Sequence, residues 1–208
     1  MGDSSLGDPI ASALLSDSQY ERLRARRYSL FDTSIPRALA LQGLVLGTLA
    51  LVLPLAMTLP ASARGLFPGG DPIASTPKIM LLGAYAGVIE TVAAAGLVYV
   101  GYHRYRRHGT LSEREARRLL NVKDVASMIG LVTGTAAVVA LDGFFLLGHG
   151  GQDAMSAFFA AGGENPFAAT PIPVTVVSIA VPAAVLSVTL FALSVAFARC
   201  LPSRGTHD

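Results

Sequence analysis

The stretch IMLLGAYAGVIETVAAAGLVYV, running from Ile79 to Val100, decides the fold. Its only charge is Glu90, near its midpoint. A helix rising 1.5 Å per residue needs about 20 apolar residues to cross the roughly 30 Å hydrocarbon core of a bilayer, and this run is long enough. Three further runs have the same character: 38–59, uncharged and broken by Gln42 and Pro54; 125–147, with the single charge Asp142; and 174–198, with no charge. None shows the two-residue alternation of a membrane barrel, and in lipid only closed barrels or helices satisfy their own backbone. The sequence therefore predicts an all-α integral membrane bundle of four transmembrane helices.

Composition supports that class. Of the 208 residues, 52% are hydrophobic and 14% charged, against about 25% charged in an ordinary soluble domain. Sixteen basic and fourteen acidic residues leave a net charge of +2, which gives no footing for nucleic-acid binding. One cysteine, Cys200, excludes an internal disulfide framework. The basic residues are almost all Arg, beside abundant Ala, Gly and Val, a composition expected of a GC-rich prokaryotic genome.

Orientation follows from the arginines. Arg22, Arg24, Arg26, Arg27 and Arg37 precede the first run. Arg104 through Lys123 lie between the second and third, and Arg199 and Arg204 follow the fourth. Only Arg64 and Lys78 fall in the other two connections, and 148–173 has neither Lys nor Arg. By the positive-inside rule both termini are cytoplasmic and the protein is a multi-pass protein of the cell membrane. Residues 1–37 form a cytoplasmic segment, in which Ala11 to Tyr28 is either a helix lying on the inner leaflet or a partly ordered tail. It shows no apolar core of a cleavable signal, so the first span is expected to act as its own insertion signal. The domain of spans covers 38–198, and 199–208 is a cytoplasmic tail.

Between the second and third spans, Thr110–Glu113 and Ser112–Glu115 both have capping-box spacing, and Glu113 with Arg117 makes an i,i+4 pair. A short helix ahead of the third span is expected there. The segment 148–173 is long for a simple connection, and Phe158 and Phe159 favour a half-buried arrangement on the bundle. The hexapeptide at 7–12 recurs at 70–75 without matching flanks and marks no duplicated unit.

Small residues spaced four apart let helices approach closely in lipid. Gly43 and Gly47, Gly83 and Gly87, and Gly130 and Gly134 supply such pairs in the first three spans, with Ala180, Ala183, Ala184 and Ser187 in the fourth. Pro54 and Pro182 should kink their helices. Glu90 shares the face of Gly83 and Gly87 and so turns into the bundle. An ionised acid at a helix centre costs about 3 kcal/mol on insertion scales, against about 4 kcal/mol offset by the nine Leu, Ile and Val of the same span. Glu90 is then either a group that loads and releases a proton, or a structural one bonded to Gln42, Thr48 or a carbonyl freed near a proline. Asp142 lies five residues from the end of its span, and ideal helical geometry puts it on one face with Asp124 and Thr135.

No nucleotide-binding loop, nucleophile elbow or zinc-protease motif is present, and no histidine falls inside a span, so no cofactor is expected. His149, Asp153 and Glu164 form the one set that could assemble a metal site, at the outer face. Cys200 reads as an inert juxtamembrane thiol. The absence of a catalytic constellation points away from an enzyme and toward an accessory or assembly subunit of a membrane complex. The alternative is a proton-coupled small transporter or conductance using Glu90. The expected partners are the bilayer and either a membrane-protein partner or further copies of the chain.

Overall fold

The structure, a computed structural model, describes residues 33–107 and 111–200. The amino-terminal segment, His108, Thr110 and the tail beyond Cys200 lie outside the described residues. Among the described residues, four helices are long and apolar enough to cross a membrane: α1 (Ile35–Met57), α2 (Met80–Arg106), α3 (Glu113–His149) and α5 (Val176–Cys200). A shorter helix, α4 (Gly151–Ala160), follows α3. Among the described residues there is no strand, only an isolated bridge between Pro77 and Ala169.

Local chemistry sets the ends. Ser34 holds an extended conformation ahead of α1, and Pro36 falls in the first turn, where its missing N–H costs nothing. Pro54 has no N–H to donate back to Ala50. The helix tightens just before it, with the Leu51 N–H on the Thr48 carbonyl at 3.0 Å, and resumes as Val52–Met57. Pro182 is carried inside α5, which remains one helix from Val176 to Cys200. α3 begins in the Ser112 capping box: Ser112 Oγ accepts from the Glu115 N–H at 3.3 Å, and Glu115 accepts from the Ser112 N–H at 3.0 Å. The expected short helix is continuous with the span, so α3 projects well beyond its apolar stretch at the arginine-rich end. There an Arg107–Glu115 ion pair ties it to the end of α2.

Successive long helices run antiparallel. α1 touches each of the other three and is the most enclosed, whereas α5 is the most exposed. The α1–α5 seam is the closest. Ser187 Oγ donates to the Gly43 carbonyl at 2.7 Å and Ser194 Oγ to the Pro36 carbonyl at 2.8 Å, bonds in which a serine is satisfied by a neighbouring helix. Outward-facing residues such as Val88, Val132, Val139, Val185 and Val188 are apolar, as a lipid-facing surface requires. At the other end the loops fold onto the bundle. Phe167, fully buried, stacks on Phe67 at 4.3 Å and meets Phe145 edge-on at 5.6 Å. Phe158 and Phe159 are half-buried, with Phe158 edge-on to Phe144 at 5.8 Å. The anchor of 148–173 is thus Phe167, aided by Met155, rather than the Phe158–Phe159 pair alone.

Candidate functional site

Halfway along the bundle, α3 changes its winding. Ile129–Gly134 forms a π-helical turn, in which each bond closes one residue later than in an α-helix. The wider turn presents two glycines, Gly130 and Gly134, and their missing side chains are what the site is built around. A Cβ on Gly134 would strike the Glu90 carboxylate. One on Gly130 would strike the Gln42 amide nitrogen and come within 3.3 Å of Glu90 Oε2. Gln42 from α1, Glu90 from α2 and the π turn of α3 therefore share one enclosure, and both polar side chains have zero exposure.

Neither oxygen of Glu90, nor either polar atom of the Gln42 amide, has a hydrogen-bond partner among the described residues. Buried polar groups are normally paired, because leaving one unpaired costs about 1–3 kcal/mol. Four such atoms in one enclosure therefore mark a place where packing was not the only requirement. The pairing chemistry available is unusual in one respect. The Gln42 amide carries both donors and an acceptor, so its NH₂ can serve a carboxylate and its carbonyl can serve a carboxylic acid. Either protonation state of Glu90 can then be accommodated by the same neighbour.

Further polar side chains are buried along α3. Ser127, one turn toward the arginine-rich end, is fully buried with its hydroxyl unpartnered, and Lys123, a turn further, is 2% exposed. In the other direction Asp142 is buried at 8%, with Oδ1 unpartnered. The π turn explains how these fall together. A continuous α-helix would carry Asp142 about 100° around from Lys123, and closing one residue later turns everything beyond Gly134 back by roughly that much. The same offset separates Asp124 from Thr135 and Asp142, so the polar stripe expected from ideal geometry does not form; Asp124 and Thr135 are each only half-buried. Lys123 to Asp142 spans about 28 Å along the helix, close to the thickness of a hydrocarbon core.

Of the structural alternatives for Glu90, Thr48 is committed elsewhere, its hydroxyl donating to the Leu44 carbonyl at 3.0 Å. Gln42 alone of those side chains lies against the same turn. The other small residues sit between helices to different degrees. Gly43 and Gly47 lie against Ser187 and Phe191, and Gly83 against Leu141, Met80 and Ile179. Gly87 is half-buried, and a Cβ there would come no nearer than 3.7 Å to Leu49.

His149, Asp153 and Glu164 are not brought together, and among the described residues no three His, Cys, Asp or Glu side chains are placed to hold a metal ion. His149 uses both ring nitrogens locally, one on the Phe145 carbonyl at 2.9 Å and the other on the Thr58 hydroxyl at 3.0 Å. Asp153 and Glu164 are exposed. Sequence reasoning counted Lys123 only among the basic residues between the second and third spans and passed over Ser127. The signal that would have found Ser127 is its three-residue spacing from Gly130; no local signal announces the π turn. Comparison with family models, curated proteins and solved structures finds no match for this chain, so its chemistry has to be argued from this site.

Proposed function

We propose that this membrane protein handles protons within the bundle, with Glu90 as the group that takes up and gives back the proton and Gln42 as the neighbour that accommodates both of its states. The observation that supports this reading is the set of four unpartnered polar atoms enclosed against the π turn. Ser127 and Lys123 toward one end, and Asp142 toward the other, supply hydroxyl, amine and carboxyl groups of the kind proton relays use. The test is proton uptake into proteoliposomes under an imposed pH gradient. Glu90→Gln, which keeps shape and removes the titrating group, should abolish uptake, and Gln42→Leu should reduce it strongly. Undiminished flux in Glu90→Gln overturns the reading.

A second reading, an accessory or assembly subunit of a larger membrane complex with both termini cytoplasmic, is favoured by the complete enclosure of Glu90. A carboxyl with no exposure exchanges protons only if the bundle opens, and a partner helix is one means of opening it. Extraction in a mild, lipid-preserving system tests this. A second polypeptide at fixed stoichiometry supports it, and the chain alone or in copies of itself counts against it.

A further inference from the structure

A groove of about 460 Å³ lies between α2 and α5 on the outer surface of the bundle, with Leu46 of α1 also in its lining. Ala95 and Val98 form one wall, and Leu190 and Leu193 the other. Its two threonines commit their hydroxyls to their own helices: Thr91 Oγ1 donates to the Gly87 carbonyl at 2.7 Å and Thr189 Oγ1 to the Val185 carbonyl at 2.8 Å. Between these threonines and Tyr99 and Tyr102 the remaining lining is aliphatic.

Its ends are unlike. One lies at Thr91, level with Glu90 at mid-span; the other lies at Tyr102, near the arginine-rich end. Thr91 to Tyr102 is about 17 Å of helix, close to half the roughly 30 Å of a hydrocarbon core, which is the depth of a single leaflet. At the Tyr102 end, Arg106 continues the stripe of α2 residues that lines the groove. Its guanidinium donates to the Tyr102 hydroxyl at 3.0 Å and lies 5.7 Å from that ring's centre. A slot one leaflet deep, largely aliphatic inside and closed at its mouth by a held cation, has the length and charge of one kind of molecule.

We infer that the α2–α5 groove is a binding site for an anionic phospholipid, one acyl chain lying against Leu46, Ala95 and Leu190 and the phosphate meeting Arg106. The inference does not depend on the role of Glu90. A second groove of about 320 Å³ continues past Thr91 and Leu186 toward Pro182, which leaves room for a chain longer than one leaflet.

Native mass spectrometry of the delipidated protein, with phosphatidylglycerol and phosphatidylcholine of matched chains added in turn, tests it. Wild-type protein should retain one phosphatidylglycerol with about a fivefold preference, the scale of one basic residue at a lipid surface. Arg106→Ala should bring the two lipids to parity. Ala95→Phe, which fills the groove from an exposed position, should retain neither; Ala95→Leu gives the same readout should the larger residue disturb folding. Equal retention by the wild type, or undiminished retention by both Ala95 variants, overturns the proposal. A dimer that Ala95→Phe converts to monomer also overturns it, since the groove would then hold a second copy.

Discussion

Gly134 and Glu90 occupy space that only a glycine opposite a carboxylate leaves open. Gly134→Ala should destabilise the bundle by about 1–3 kcal/mol, the usual cost of overpacking a close contact. Shortening the acid should restore most of it, so the Gly134→Ala, Glu90→Ala pair is expected to show a coupling of about 1 kcal/mol or more in a double-mutant cycle of thermal or denaturant unfolding. Additive effects would mean that Glu90 does not rest on the π turn. Outside the spans, Asp71 is legible in simpler terms. The Ala74 and Ile73 N–H groups donate to its carboxylate at 3.1 and 2.8 Å and hold its pKa below the usual value. A depressed carboxylate steadies its turn above the unfolded pKa and loses that effect as pH falls through the folded one. The amide resonances of Ile73 and Ala74 should therefore shift only below about pH 4, and Asp71→Asn should remove the transition.

At the scale of elements, the glycines separate into those that fix helix seams and one that does not. A Cβ on Gly47 would lie 3.1 Å from Ser187 Oγ, whereas Gly87 has open space beyond Leu49 and borders the groove near Pro182. Gly47→Leu should break the α1–α5 seam and lower the melting temperature, and Gly87→Leu should leave folding intact, a contrast read by gel filtration and thermal unfolding. The order matters because spacing alone made the two equivalent. The start of α3 offers a smaller effect: Ser112→Ala removes the cap and should cost about 1 kcal/mol, seen as faster amide exchange in residues 113–115. The span positions were legible because twenty-residue apolar runs have no other use, and the capping box because its partners are three residues apart. What was not legible is nonlocal. The π turn reads in sequence as Ile-Gly-Leu-Val-Thr-Gly, a run that any apolar helix tolerates. Its phase shift decides that Asp142 and Lys123, rather than Asp124, share the buried face. Phe67, Phe145 and Phe167 likewise come together from three separate segments.

For the whole molecule, sidedness is the property from which the remaining functional claims take their direction. In the sequence, fourteen of the sixteen Lys and Arg precede the first span, join the second to the third or follow the fourth, and on that asymmetry we propose that the arginine-rich end is cytoplasmic. The chain carries its own probe. Cys200 is its single cysteine and is exposed at the last residue of α5, at the arginine-rich end. In intact cells a membrane-impermeant maleimide should leave Cys200 unmodified, and permeabilisation should expose it. In a Cys200→Ser background, Glu164→Cys places a thiol on the exposed loop at the opposite end and should react from outside without permeabilisation. The reverse pattern would invert the bundle, and with it the leaflet supplying the lipid at Arg106 and the side on which Lys123 would meet a proton from Glu90. A mixture of both patterns would mean that the arginines do not set a single orientation, which their fourteen-to-two distribution argues against.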